Sequence, residues 1–404
     1  MKIRNYGHGV VQKLSLVVAL ASVFAVVSTS SDSGASENAS GAAIKIMTWS
    51  SYTAPTLAQP ENLSAVKAGV DAINAAGGIK GHKIDLISCD TLNSPNGTTA
   101  CSNEAIADHV TAVVGSQTVL QPQIVFPALQ KAGIAYIGGD GITPNELQSP
   151  IAFSDSGIQG WFVGVAKQLE SAKLNTPSAV ECEIPSCSYT VQVIQGALKG
   201  SSVALVRTVV APLSTTDFTA AAAQLVQGNV DSVIFAGSTS QLVGITKALR
   251  EQGFNGPIAL ADVQLPSNFQ TALGSSANGM LVTYLVVPPS TTSNPGIKKF
   301  RAQMAKYAPT ASITSDTVRC WWGVQLFDAI ATKAPALTAA SILSTAKGLK
   351  PGEIVTGVTP PVPVLAKSPV KSLPGLRFDP MVIFTKIVKG MPVPQGNFVN
   401  PFKS

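Results

Sequence analysis

The sequence predicts an α/β protein of two lobes, each built around a parallel sheet. Short apolar runs alternate with helix-like segments of roughly 10 to 17 residues, which is typical of right-handed βαβ units. The 404 residues are 45% hydrophobic and 12% charged, so the chain can fill the cores of two domains. Small residues are common, with 34 glycines, whereas aromatic residues make up only 6% of the chain. This composition favours tightly packed α/β layers.

The first segment, residues 1–35, is predicted to be a secretory signal peptide. Lys2, Arg4 and Lys13 precede the apolar run LSLVVALASVFAVV, and small polar residues follow it. The run is short for a membrane span, with an uncleaved N-terminal anchor as the alternative. No cysteine follows it at the position where bacterial lipoproteins are attached. We expect an exported protein in the periplasm or at the outer face of the cell membrane.

The five cysteines all lie beyond this segment, and export places them where disulfides persist. Local spacing favours the pairs Cys89 with Cys101 and Cys182 with Cys187. A zinc site is the weaker alternative, because the spacing is not that of paired CxxC elements. Cys320 is then expected to be a buried free thiol.

The alternating elements of the first lobe begin after the signal peptide. They are predicted as strand 44–49, helix 62–78, strand 83–89, helix 98–109, strand 110–116, helix 122–133 and strand 134–139. The second lobe follows as strand 178–183, helix 191–200, strand 201–210, helix 217–228, strand 230–237, helix 242–253 and strand 257–262. Ligands of open parallel sheets bind beyond the carboxyl ends of the strands, so two facing lobes place these ends around one cleft.

The strand ends supply the candidates for ligand contact. They are Trp49 to Tyr52, Ser116 to Val119, Gly138 to Thr143, Tyr189, Gly237 to Thr239 and Asp262 to Gln264. Serine, threonine and aspartate at strand ends also serve as helix caps and turn formers, so each candidate has a structural alternative. Trp321 and Trp322 lie in the apolar helix RCWWGVQLFDAI, where core packing is favoured and a position beside the cleft is the alternative.

A family resemblance is carried by several phrases in a fixed order. They are INAAGGIKGHKIDL at 73–86, VVGS at 113–116, TDF at 216–218, LVQGNVDSVIFAG at 225–237, ALREQGFNGPI at 248–258 and NGMLVTYLVVPP at 278–289. Over residues 44–345 the chain resembles the branched-chain amino-acid-binding (leucine/isoleucine/valine-binding) substrate-binding proteins of ABC importers. The resemblance implies a periplasmic binding protein type I fold, with two Rossmann-like lobes joined by a multi-strand hinge.

In the first lobe, the resemblance implies a site for a ligand carboxylate. Thr118 and Val119 fall on the family's serine positions, and only Thr118 keeps a hydroxyl group. Gln117 could replace the lost donor, while Trp49 and Tyr52 could supply an aromatic face. A charged hydrogen bond is worth about 1.5 to 3 kcal/mol, so Val119 is an important departure from the family.

Six further residues complete the implied ligand site. The loop after the fourth strand offers the Thr143 hydroxyl and the backbone groups of Gly141 and Ile142. In the second lobe, Tyr189 and Ser238 fall on cleft tyrosine positions, and Asp262 falls on the family's acidic ligand for an ammonium group. A carboxylate buried in an apolar cleft favours a cationic or donor-rich ligand.

The sequence thus predicts an exported solute-binding protein for a small amino acid or a related amide or carboxylate. The resemblance implies delivery to an ABC importer membrane permease, without a cofactor, and we expect a monomer. No cluster of basic residues supports nucleic-acid binding, and the familiar catalytic motifs are missing. A ligand sensor for a signalling receptor and a secreted hydrolase are the alternatives. We expect residues 44–155 and 286–358 in the N-terminal lobe, and 156–285 and 359–404 in the C-terminal lobe.

Overall fold

The structure is a computed structural model that describes residues 41–54, 58–350, 352–360, 366–367 and 377–403. The predicted signal peptide lies outside the described residues. The strands are β1 (Ile44–Ser50), β2 (Ile84–Asp90), β3 (Ala112–Val114), β4 (Ala135–Ile137), β5 (Ala152–Asp155), β6 (Pro177–Glu181), β7 (Thr208–Val210), β8 (Ser232–Ala236), β9 (Ile258–Ala261), β10 (Leu281–Tyr284), β11 (Ala366–Lys367), β12 (Arg377–Asp379), β13 (Ile383–Val388) and β14 (Met391–Pro394).

Helices separate most of these strands, as the sequence periodicity predicts. They are α1 (Pro60–Ala75), α2 (Pro95–Ala107), α3 (Pro122–Ala132), α4 (Pro144–Gln148), α5 (Gly157–Ser171), α6 (Pro185–Ala197), α7 (Thr219–Leu225), α8 (Thr239–Glu251), α9 (Phe269–Leu273), α10 (Pro295–Tyr307), α11 (Ser315–Lys333) and α12 (Ala339–Gly348). Several begin with proline in the first turn, where the missing N–H group has no intrahelical partner to lose. Among the residues described, no helix has the length and apolar character needed to cross a membrane.

Two seven-stranded sheets organise the described part of the chain. The first has the order β11-β12-β5-β4-β3-β1-β2, and the second has the order β14-β13-β10-β9-β8-β6-β7. Within the first sheet, strands β1 to β5 pair in parallel with one another, and within the second sheet strands β6 to β10 do the same. The strand order reverses between β1 and β3 and between β6 and β8, which creates a topological switch point in each sheet. The predicted fold class of two parallel-sheet lobes is confirmed.

One predicted strand is much shorter in the structure. The apolar pattern over 201–210 predicts a strand of full length, but β7 contains only Thr208–Val210. This strand lies at an edge of the second sheet, where only β6 is available for pairing. The residues before it make single backbone hydrogen bonds, from Ala204 to Asn175 and from Val206 to Pro177. The length of an apolar run therefore does not predict the length of a strand at a sheet edge.

The chain passes between the sheets three times. It leaves the first sheet after β5 and returns to the first lobe after β10, where α10 packs on α1. It leaves the first sheet again between β12 and β13. The predicted division into lobes stays a prediction. The strand order does place β11 and β12 in the first sheet, although residues 359–404 were assigned to the C-terminal lobe. The reason is that β12 pairs in parallel with β5, extending the first sheet before the last crossing.

Helix α11 packs unusually close to the first sheet because three glycines meet there. A Cβ atom on Gly138 would lie 2.1 Å from the Cα of Gly323, and one on Gly115 would lie 2.8 Å from the carbonyl oxygen of Cys320. Gly115 and Gly138 also have positive φ angles of 61° and 68°, which favour glycine. Trp321 and Trp322 are fully buried in the core on this face, as the helix pattern predicts.

Both predicted disulfides are present in the structure. Cys89 is bonded to Cys101 across 12 residues, and Cys182 is bonded to Cys187 across 5 residues. The first bond ties the end of β2 to α2, beside the loop that follows β2. These bonds exclude a zinc site at the four cysteines. Cys320 is buried with a free thiol, as expected.

Removal of the two disulfides should have unequal effects. We expect the Cys89→Ala/Cys101→Ala double variant to lose about 3 kcal/mol of unfolding free energy, because the bond closes the longer loop of the unfolded chain. Cys182→Ala/Cys187→Ala should lose about 2 kcal/mol on the same argument. Urea denaturation of both variants at pH 7 would measure these losses. An equal or larger loss for the second pair would contradict the loop-closure explanation.

Candidate functional site

A cavity of about 180 Å³ lies at the carboxyl ends of β1 and β3, at the switch point of the first sheet. The polar residues that line it are uncharged, namely Ser50, Ser51, Gln59, Thr91, Asn93, Thr98 and Gln117. The apolar residues that line it are Val119, Leu120, Ile142 and Val263. Because Val263 follows β9 of the second sheet, both lobes contribute to this space, which we call the cleft cavity.

Three of the predicted ligand-binding residues line the cleft cavity, namely Gln117, Val119 and Ile142. Ser50, Ser51 and Val263 also fall within the predicted strand-end ranges. Strand ends that are far apart in the sequence therefore meet in one place, as parallel-sheet geometry requires. The role of each residue in ligand binding stays a prediction.

Gln117 is held in position by the end of β1. Its backbone N–H donates to the carbonyl oxygen of Trp49 over 3.0 Å, and its side-chain Oε1 accepts from the Ser50 hydroxyl over 2.9 Å. The side chain is buried. Its Nε2 group has no hydrogen-bond partner among the described residues, so an amide donor is left for the cleft cavity.

The side chains of Thr118 and Trp49 form a hydrogen bond with each other and do not line the cavity. The Trp49 Nε1 group donates to Thr118 Oγ1 over 2.9 Å, and Thr118 Oγ1 lies 3.0 Å from the Tyr136 hydroxyl. The Tyr136 hydroxyl donates to the Ser116 carbonyl, so Thr118 must donate to Tyr136. All of these side chains are fully buried, and neither Thr118 nor Trp49 lines the cleft cavity. In this structure, Thr118 has no donor left for a carboxylate.

Tyr52 and Asp90 fix the loop that follows β1. The backbone N–H of Tyr52 donates to Asp90 Oδ1 over 2.9 Å, the N–H of Leu92 donates to the same oxygen, and the Thr53 hydroxyl donates to Oδ2. Burial opposes ionisation of Asp90, but these hydrogen bonds outweigh it and lower the pKa of its carboxyl group. Burial also raises the pKa of the Tyr52 phenol. Tyr52 is buried, outside the lining of the cleft cavity.

The loop after β4 is stabilised from within by Glu146. The N–H of Gly141 donates to Glu146 Oε1 over 3.0 Å, and Thr143 caps α4 by accepting from the N–H of Glu146 over 3.3 Å. The loop places Ile142 against the cleft cavity, while Thr143 and Gly141 do not line it. The predicted backbone donor of Gly141 is therefore already used, and Thr143 has the structural role of a helix cap.

The second-lobe candidates lie outside the cleft cavity. The Tyr189 hydroxyl accepts from Gln159 Nε2 over 2.8 Å, and Ser238 forms a capping box at the start of α8 with Gln241. Asp262 is buried and accepts a hydrogen bond from Trp161 Nε1. It does not line the cleft cavity with Val263, but lines a separate cavity with Tyr284 and Ser315. The assignment of Asp262 to a ligand ammonium group stays a prediction that this geometry does not support.

A buried arginine lies behind this region, and we call its surroundings the Arg319 cluster: Arg319, Asp140, Asp155, Asp262, Asp316 and Trp161. Arg319 Nη2 is 2.9 Å from Asp316 Oδ1, Nη1 is 3.6 Å from Asp155 Oδ2, and the guanidinium lies 4.6 Å from the centre of the Trp161 ring. The cluster joins α11 of the first lobe to α5 and the end of β9 in the second lobe. It therefore lies where the two lobes meet.

The carboxyl groups of the Arg319 cluster outnumber its single cation. Burial raises the pKa of Asp262 to about 7 and that of Asp155 to about 6, although the Arg319 charge lowers both. Burial also raises the pKa of Asp140. The cluster thus holds acids that retain protons near neutral pH.

Sequence reasoning did not single out Arg319 or Asp155, whereas Asp140 falls within the predicted strand-end range Gly138 to Thr143. A signal was present for Arg319, because it is a lone cation inside the apolar stretch RCWWGVQLF of α11. A long charged side chain in such a stretch requires a buried partner. No comparable signal marks the aspartates, because they stand in ordinary strand-end positions.

A family model described as periplasmic binding protein matches residues 44–362. The chain belongs to this family. The periplasmic binding protein match includes strands β1 to β10 and most of the connections around the cleft cavity. It confirms the family that the six sequence phrases indicate, and it supports a solute-binding protein over an enzyme.

A curated relative from the same family is the Leu/Ile/Val-binding protein of Escherichia coli (strain K12), 26% identical over 232 residues. The match covers 55% of this chain and 62% of the relative, so the chain spans somewhat less than two thirds of the relative's length.

Two solved structures of periplasmic binding proteins share the fold. A branched chain amino acid ABC transporter protein from Thermus thermophilus with bound valine is 15% identical, with a TM-score of 0.75 over 90% of this chain and 98% of that chain. A fatty acid ABC transporter substrate-binding protein from Thermomonospora curvata is 17% identical, with a TM-score of 0.72 over 89% and 92% of the two chains. At this identity the likeness establishes the fold alone.

Proposed function

We propose that the protein is an exported solute-binding protein, which captures a small amino acid or a related amide or carboxylate in its interlobe cleft. The cleft cavity supports this proposal most directly. It lies at the switch point of the first sheet, is lined by both polar and aliphatic residues, and includes residues from both lobes. Small-molecule sites are commonly concave, largely apolar and equipped with a few polar groups. Lobe closure around the solute would then protect it until release.

The size of the cleft cavity favours a small solute. A volume of about 180 Å³ is small beside the roughly 300 to 1,000 Å³ of most small-molecule pockets. The relatives carry different ligand names, leucine, isoleucine and valine in one case and fatty acids in another. A long acyl chain would exceed the present cavity. A short solute with one polar and one aliphatic end matches its mixture of polar and aliphatic lining residues.

Delivery to an ABC importer membrane permease is the second part of the proposal. It is supported by the family match and by the transporter relatives. The alternative role is that of a ligand sensor for a signalling receptor. Co-purification with a permease from the native membrane would support import, and co-purification with a sensor kinase would support signalling.

A thermal-shift screen tests solute binding. We expect one class among amino acids, amides, short carboxylates and sugars to raise the melting temperature of the ligand-free protein. A solute at 100 times its dissociation constant adds about 2.7 kcal/mol of stability. Ser51→Trp should abolish the shift, because the indole would fill the cleft cavity that Ser51 lines.

The matched control is Ser275→Trp, an exposed site in the second lobe that is remote from the cleft cavity. This variant should keep the full ligand-induced shift. An equal shift in the Ser51→Trp protein would contradict the placement of the solute in the cleft cavity. The absence of any shift across the panel would contradict the proposed function itself.

A further inference from the structure

The cleft cavity lacks a charged group among the described residues that line it. Every polar lining residue carries a hydroxyl or a carboxamide group, and the remaining four are aliphatic. An amino acid in such a cavity would bury an ammonium and a carboxylate. A buried ion is costly unless it is paired or bonded to several donors or acceptors.

Two carboxylates near the cleft cavity, Asp90 and Asp316, are already engaged in bonds within the protein. Asp90 accepts hydrogen bonds from two backbone N–H groups and the Thr53 hydroxyl. Asp316 accepts from Arg319 on one oxygen and from Gln59 Nε2 on the other, over 3.2 Å. Gln59 therefore separates Asp316 from the cleft cavity. Neither carboxylate is positioned as a partner for a ligand ammonium group.

Two of the predicted donors for a ligand carboxylate are also consumed. Thr118 donates to Tyr136, and the Gly141 N–H donates to Glu146. Val119 carries no donor on its side chain. The closest cation of the interlobe region, Arg319, is buried among the aspartates of its cluster and does not line the cavity.

Two polar groups remain open toward the cleft cavity. The Ser51 hydroxyl oxygen is inaccessible to solvent and has no hydrogen-bond partner among the described residues. The Gln117 Nε2 group is likewise without a partner there, while its Oε1 is held by Ser50. A buried hydroxyl without a partner is unfavourable, and both groups can donate to a ligand oxygen. The four aliphatic residues line the same cavity.

We infer that the cleft cavity selects an uncharged, short aliphatic amide over the corresponding amino acid, carboxylate or amine. The ligand carbonyl oxygen accepts from Gln117 Nε2 and the Ser51 hydroxyl, and its alkyl group packs against Val119, Ile142 and Val263. This inference rests on the proposed function, since it specifies the solute class for the same cavity. It departs from the amino-acid ligands for which the relatives are named.

Four compounds with the same isobutyl group test the inference by isothermal titration calorimetry at pH 7. They are isovaleramide, isovalerate, isoamylamine and leucine. We expect isovaleramide to bind at least 10-fold more tightly than each of the three charged compounds, because only it enters without an unpaired charge. Equal or tighter binding of leucine or isovalerate would overturn the inference and leave the proposed solute-binding function intact. If no compound of this series or of the screening panel binds, both are overturned.

A charge introduced into the cavity provides the second test. Gln117→Glu keeps an acceptor for the Ser50 hydroxyl but replaces the free N–H donor with an anionic oxygen. We expect isovaleramide affinity to fall at least 10-fold, with an unchanged circular dichroism spectrum confirming that the variant folds. Gln224→Glu, on an exposed face of α7 in the second lobe, is the matched control and should retain full affinity. An unchanged affinity in Gln117→Glu would overturn the assignment of Gln117 to the ligand.

Discussion

Arg319→Ala should lower the free energy of unfolding by about 3 to 5 kcal/mol at neutral pH, the range measured when one partner of a buried ion pair is removed. Arg319 is only 3% exposed and is the counter-ion for Asp316 and Asp155. Without it, these carboxyl groups must either remain buried as uncompensated anions or take up protons. The change also removes the packing of the guanidinium on the Trp161 ring. Urea denaturation followed by circular dichroism measures the loss.

Arg301→Ala is the matched control for this experiment, because Arg301 is exposed and outside the Arg319 cluster. Its effect should stay within about 0.5 kcal/mol, as for most surface substitutions. A loss below 1 kcal/mol for Arg319→Ala would show that the buried charges of the cluster are compensated in another way. Such a result would remove the cluster as a determinant of stability.

The free energy of unfolding should decrease as the pH rises from 5 to 8. Burial raises the pKa of Asp155 to about 6 and that of Asp262 to about 7, from an ordinary value of 3.8. Between the ordinary and the raised value, the folded chain keeps a proton that the unfolded chain has lost. The folded state therefore binds more protons, and stability is lost as the pH rises through this window. Each extra proton bound by the folded state lowers the free energy of unfolding by about 1.4 kcal/mol for each unit rise in pH.

Urea denaturation at pH 5, 6, 7 and 8 measures this dependence. Asp262→Asn should flatten the slope, because the asparagine keeps an acceptor for Trp161 but no longer titrates. Asp71→Asn, at an exposed position of α1, should leave the slope unchanged. A stability that rises with pH across this range would show that the buried acids are ionised in the folded protein.

Periodicity was sufficient to predict the parallel strands around the cleft. The runs that became β1, β6, β8 and β9 are continuous apolar segments bounded by glycine or polar residues, and the structure keeps each within one to a few residues. The apolar run overestimates the length of the edge strand β7, because it does not show how many neighbouring strands are available for pairing. The pairing of β12 with β5 in the first sheet is not predictable from periodicity, because β5 is more than 200 positions earlier in the chain.

The candidate site was only partly predictable for a related reason. Topology alone places the ends of β1, β3 and β9 together, and this identified Gln117 and the loop containing Ile142. Topology does not determine which hydroxyl groups are already bonded inside the protein. The family resemblance makes Thr118 a ligand donor, but its bonds to Trp49 and Tyr136 join residues that are not adjacent in the sequence and cannot be read from it. Whether a polar side chain is free to bind a ligand can be judged only once its partners within the protein are known.

The late position of β12 in the chain also bears on the proposed export of this protein. The first sheet begins at Ile44, yet β12 joins β5 only after nearly the whole second lobe has been synthesised. Contacts of such long sequence separation form slowly, since a large loop must close first. A nascent chain therefore lacks the strand that completes its first sheet until synthesis is almost finished. For a polypeptide that crosses a membrane unfolded, this delay would extend the period in which it can still be threaded through a translocation channel.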